Sequence, residues 1–265
     1  LQMPGVFYLD KFIEEIEKDL SEDLLADKFI NLFPEFFDSR KNLIHRMDKL
    51  GESKEAFFSV SKEKFKEQFK NLNDQINKKD IAHIVEKIHL AYFFANSNIK
   101  KSNHKIISIH IHNSNNLEKI FKYFDNYDVQ TLFIERDIIP SFASELNGWS
   151  KYYESVKSKN IHTIDTYIKY STSLKRKLYE PYLVQRIDNN CLTVKLEEIH
   201  LNTKSLFENL SKKFDIKFSN SFYENTFNGL LWWGDAISNK DLNGINKNFK
   251  NKIDKNTFYS WELNL

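Results

Sequence analysis

The chain has 265 residues, with 39 basic against 37 acidic side chains and a net charge of +2, so charge makes no case for nucleic acid or a membrane surface as partner. Its 41% hydrophobic and 15% aromatic content is enough for a sizeable core, in one large domain or two small ones. A single cysteine, Cys191, excludes an intrachain disulfide and a zinc knuckle, and no run approaches the roughly 18 apolar residues of a membrane span.

In chain order, Met3-Pro4-Gly5 reads as a turn into a short strand over 5–9. Phe12, Ile13, Ile16 and Leu20 recur at helical spacing over 11–25. The run from Leu32 to Phe37, with Pro34 inside it, interrupts that pattern. Asp38 or Ser39 caps a helix carrying Leu43, Ile44, Met47 and Leu50, which Gly51 ends. Residues 53–72, with Phe57, Phe58, Phe65 and Phe69, read as helical. Residues 80–96 give a firmer helix, marked by Ile81, Ile84, Ile88, Tyr92 and Phe93; its His83 and His89 read as structural or surface residues.

Residues 104–111 read as a strand whose alternation brings Ser108, His110 and His112 onto one face. A short helix over 117–124 follows, then a β-rich apolar run over 129–134. Glu135-Arg136-Asp137 breaks that run, and Pro140 opens a helix with Ser141 and Ser144. The succession strand, helix, strand, helix over 104–149 has the spacing of a right-handed parallel unit. A long amphipathic helix spans 163–189, bearing Ile168, Leu174, Leu178, Tyr182, Leu183 and Ile187, and Pro181 kinks it or begins a second segment. Residues 191–196 form a third strand with Cys191 buried in it, ended by Glu197-Glu198. Asn202 or Thr203 caps a helix running to Phe214. From Ser219 onward the pattern reads as loop, and its paired Trp232 and Trp233 either form a ligand shelf or cover the core. These elements imply an α/β fold, a parallel β-sheet flanked by helices on both faces, with a helix-rich insertion in residues 40–100.

A strand that delivers an arginine at its carboxyl end, beside a helix start, suits an anionic ligand. Arg136 supplies a fork of donors matched to phosphate; the plainer reading is a surface arginine paired with Glu135 or Asp137. His110 and His112 end the preceding strand, and the carboxyl ends of neighbouring parallel strands form the usual ligand crevice. There an imidazole is suited to taking a proton from a hydroxyl. The sequence contains no HExxH, CxxC, GxSxG or complete GxxxxGK[ST], which argues against zinc hydrolases, serine hydrolases and Walker-loop enzymes.

Several ordered pieces resemble sulfotransferases that use 3'-phosphoadenylyl sulfate (PAPS). LFIERDIIPSFASEL is similar to that family's strand, arginine, helix and serine motif, and VKLEEIHLNTKSLFENLSKKFDI to its later strand, acidic pair and helix. IISIHIHNSNNLEKIFKYF is similar to the strand that ends near a lysine and the catalytic histidine. The resemblance implies one sulfotransferase-like domain over 1–265, of P-loop NTPase-like three-layer fold, with the donor's 5'-phosphosulfate loop lying before Leu1. It implies that Arg136 and Ser144 grip the donor's 3'-phosphate, with Ser141 as a near neighbour. His112 falls at the general-base position and His110 at the lysine position. Glu197 and Glu198 orient a turn, Lys240 and Lys247 close over the donor, and Trp232 and Trp233 line the acceptor cleft. The implied co-substrate is PAPS without a metal, and the acceptor a small molecule, carbohydrate or lipid rather than nucleic acid. The cytoplasm is the expected compartment. The rival readings are a kinase-like nucleotide-dependent phosphotransferase and a non-catalytic α/β binding protein.

Overall fold

The computed structural model describes residues 9–18, 22–41, 50–72, 80–96, 107–109, 111, 117–139, 141, 164–187, 191–224 and 226–232. It is a mixed helix and strand structure in which helix predominates and the parallel sheet is small, with two strands. The chain divides into two compact units, one comprising Leu1–Val129 and Glu224–Asn251, the other Gln130–Tyr223 and Lys252–Leu265. Among the described residues, no helix is long and apolar enough to cross a membrane.

The first unit is built on phenylalanine. Helices α1 (Leu9–Lys18), α2 (Glu22–Leu32) and α3 (Pro34–Phe37) bring Phe12, Phe29, Phe33, Phe36 and Phe37 out of solvent. Phe29 is the hub: the rings of Phe12, Phe33, Phe36, Phe37 and Phe65 have centroids 5.3 to 6.0 Å from its own. All five sit tilted or edge-on, the arrangement that the ring quadrupole favours. The helical spacing expected over 11–25 is divided between two helices, and the first begins earlier, at Leu9. Pro34 acts as a helix start, since the first turn needs no N–H from it.

Helices α4 (Lys62–Asn71) and α5 (Ile81–Ala95) pack together and complete this core. The helix expected over 53–72 is shorter than its aromatic pattern suggests. Ser61 caps it, its Oγ accepting from the Lys64 N–H at 3.1 Å, and the residues before it run extended. There Leu50 bridges Ala56, and Asp38 bridges Ser59; Asp38 also closes α3, its N–H donating to the Pro34 carbonyl at 3.1 Å, while the helix it was expected to open lies outside the described residues. Of the apolar face expected on the helix before Gly51, Leu43, Ile44 and Met47 lie outside the described residues. Gly51 turns the chain with φ +71, a left-handed conformation that glycine adopts without a Cβ penalty. Helix α5 agrees with its sequence reading nearly to the residue, with Asp80 Oδ1 accepting from Ala82 N–H at 2.9 Å and Asn96 closing the other end. Its Tyr92 hydroxyl donates to the Phe36 carbonyl at 2.5 Å, and burial pushes its pKa well up.

Helix α6 (Leu117–Tyr123) is fastened to α1 by Glu17, which accepts from Lys119 and from the Tyr123 hydroxyl. Those two bonds hold the Glu17 carboxyl below its usual range. The strand expected over 104–111 is not formed among the described residues there: Ser108 makes an isolated bridge only. The alternation itself is real, since Ile109 and Ile111 pack on the helical core while Ser108 is exposed.

In the second unit, strand β1 (Leu132–Glu135) pairs in parallel with β2 (Leu192–Lys195), in the register Leu132 to Leu192 through Glu135 to Lys195. Helix α7 (Ile164–Ile187) lies between them in the chain. A parallel strand, helix, strand unit is therefore present, but the described partner of β1 is β2 rather than the segment over 104–111. Pro181 stays inside a single continuous helix, although it has no N–H for the Lys177 carbonyl. Ile168 and Leu178, expected on the apolar side of this helix, are exposed. Cys191 is half-buried just before β2 rather than buried within it. Helices α8 (Leu196–Leu201) and α9 (Thr203–Lys213) follow, and Phe207 of α9 stacks on Phe222 of the 3-10 turn Asn220–Tyr223.

Candidate functional site

The residues TLFIERD place β-branched and aromatic side chains in β1 and then switch to charge, which ends the strand at Glu135. Because β1 and β2 are parallel, the chain leaves both strands at the same edge: Arg136-Asp137 follows β1, and Leu196-Glu197 opens α8 after β2. Arg136 is half-buried, with its Nε enclosed. Asp137 lies 3.8 Å from Lys195 Nζ, a loose and exposed pair of the kind that contributes about 1 kcal/mol or less.

Residues 138, 139 and 141 are helical, and the Ser141 N–H donates to the Asp137 carbonyl at 2.9 Å. Arg136 and Ser141 are thereby held on one strand-to-helix turn, although the helix is under way at Ile138, before the Pro140 expected to open it. A third group arrives from α7: Lys177 Nζ donates to Ser141 Oγ at 2.8 Å. Lys177 was not singled out from sequence. It lies between Leu174 and Leu178 on a helix read for its apolar side, and it is 36 residues from Ser141. No local pattern signals such a contact.

Glu197 and Glu198 occupy the first turn of α8, where the helix dipole favours a carboxylate. The Glu198 carbonyl accepts from Asn202 N–H at 2.9 Å, and Glu198 itself is exposed. Glu197 is half-buried, with Oε2 enclosed and without a hydrogen-bond partner among the described residues. The sequence reading had the pair only as orienting a turn.

Trp232 belongs to the first unit. It follows a hairpin of β3 (Thr226–Phe227) and β4 (Leu230–Leu231), in a stretch read as loop. The missed signal is Asn228-Gly229 between apolar residues: both take positive φ, 49 and 78, as a two-residue hairpin turn requires. Trp232 is half-buried against the helical core, and its backbone bridges Leu50. Asn96 Nδ2 donates to Asn228 Oδ1 at 2.7 Å and helps fasten the hairpin. For Trp232, packing accounts for the burial; of the two sequence readings, core cover is the one these contacts express.

His110, His112, Ser144, Trp233, Lys240 and Lys247 lie outside the described residues. The histidines of α5 behave as structural groups. His89 Nδ1 is 2.7 Å from the Val85 carbonyl, and burial lowers its pKa to about 4. His83 Nδ1 is 3.0 Å from Asp80. Among the described residues, no three or more His, Cys, Asp or Glu side chains gather as metal ligands. No protein-family model matches this chain, and no curated protein or solved structure matches it.

Proposed function

We propose that the protein transfers the sulfuryl group of PAPS to a hydroxyl or amine acceptor. The observation that carries this reading is Arg136 at the carboxyl end of a parallel strand, with Ser141 on the helical turn that follows. Strand ends of parallel sheets are where ligands with phosphate groups bind, and an arginine fork beside a hydroxyl suits a phosphomonoester. The order of the pieces adds support, because β2, its acidic pair and the helices after it follow β1 in the order the resemblance implies.

In this reading Arg136, Ser144 and Ser141 hold the donor's 3'-phosphate, and Lys247 closes over the donor. His112 takes the proton of the acceptor as its oxygen or nitrogen attacks sulfur in line. The sulfur–oxygen bond to the 5'-phosphate breaks, and adenosine 3',5'-bisphosphate leaves. His110 neutralises charge that develops on the moving group. The three-layer sheet fold and a cytoplasmic setting belong to the same proposal.

The test uses the full-length protein with PAPS and a panel of alcohol, sugar, lipid and amine acceptors, reading release of the bisphosphate. Turnover that His112→Ala abolishes, with bisphosphate binding kept, supports the reading. Absence of bisphosphate binding by the full-length protein would falsify it.

A further inference from the structure

Resting on that reading, we infer that Lys177 is a binding residue for the nucleotide's 3'-phosphate and acts with Arg136 and Ser141 in choosing a 3'-phosphorylated donor. The argument begins with the hydroxyl. A serine oxygen that accepts from an ammonium still has its own O–H to donate. With Lys177 Nζ 2.8 Å from Ser141 Oγ, that hydroxyl is polarised toward donation, and the ammonium charge stands beside it. Arg136 lies just before the helical turn that carries Ser141, on a segment that leaves the strand edge and turns back through the Ser141 N–H to Asp137 carbonyl bond.

The three groups come from two elements, the β1 exit and α7, within one compact unit. Their chemistry is complementary to a dianion: a planar fork, a hydroxyl donor and a point charge. A phosphomonoester carries nearly two negative charges at neutral pH, more than one arginine neutralises. A second cation at this place therefore favours a terminal phosphate over a ribose hydroxyl. Lys177 is half-buried, so its charge is screened less than that of a fully exposed lysine. Pro181, four residues on, has no N–H to offer the Lys177 carbonyl, although the helix continues through it.

The experiment measures calorimetric binding of adenosine 3',5'-bisphosphate and of adenosine 5'-monophosphate to the full-length protein, in wild type, Lys177→Ala and Lys177→Arg. Wild type is expected to prefer the bisphosphate. Lys177→Ala should weaken bisphosphate binding by about 10-fold or more and leave the monophosphate unchanged, as loss of a bond to a charged group predicts. Lys177→Arg should recover part of the preference and shows that charge, not helix packing, is responsible. If wild type prefers the bisphosphate and Lys177→Ala keeps that preference in full, the assignment of Lys177 is overturned while the sulfuryl-transfer reading stands. If wild type binds both nucleotides equally, the sulfuryl-transfer reading fails, and this inference with it.

Discussion

The two compact units spend their apolar residues differently. In the first, Phe12, Phe29, Phe36 and Phe65 are wholly inaccessible, and the other three meet Phe29 ring to ring. In the second, Ile134 at the centre of β1 remains 53% exposed and Leu132 39% exposed. Its notable side chains are polar: Arg136 and Ser141 after β1, Glu197 after β2, and Lys177 of α7, which reaches Ser141. The contrast separates two tasks. A closed aromatic core makes stability sensitive to single residues, whereas a charged strand edge can change its side chains with small structural consequence.

The largest effect should come from the hub of the aromatic core. Phe29→Ala leaves a cavity faced by five rings, and a loss of about 3–5 kcal/mol is expected in chemical denaturation. A loss under about 1 kcal/mol would mean that the core is looser than its contacts imply.

Next is acid sensitivity seated in α5. His89 is buried and neutral, with a pKa of about 4 against an ordinary value near 6.5. The unfolded chain therefore binds the extra proton first, and stability rises with pH between those values. His89 contributes fully above about pH 6.5, and that contribution is lost as the pH falls toward 4. The loss is about 3 kcal/mol at its limit. Urea unfolding at pH 7 and pH 5 measures it, and His89→Gln should flatten that part of the dependence.

A smaller loss is expected at the turn between the extended segments. Gly51 has φ +71, and a Cβ there would come 2.9 Å from the Ala56 Cβ. Gly51→Ala should cost about 1–2 kcal/mol from the left-handed backbone, with the close approach adding to it. Thermal unfolding reads the change.

The smallest effect belongs to the second unit. Ile134→Thr, at a half-exposed strand position, should alter stability by about 0.5 kcal/mol or less. A loss as large as that of Phe29→Ala would show that this strand face is covered in solution, and the contrast between the units would collapse.

Sequence alone was enough for elements whose information is local. Helix α5 carries its apolar period between an aspartate cap and a terminal asparagine, so both ends were legible. Strands β1 and β2 are short β-branched runs stopped by charge, and the position of Arg136 at a strand exit was readable for that reason. The Asn228-Gly229 hairpin was legible too, and was missed because the composition around it suggested loop. Only the tertiary structure decided which strand pairs with β1, that Ile109 and Ile111 pack on the first unit's core, and that Lys177 reaches Ser141. Those three choices depend on residues far apart in the chain. A periodic pattern states which face an element buries, but the surface that meets that face is selected by packing among all the elements together.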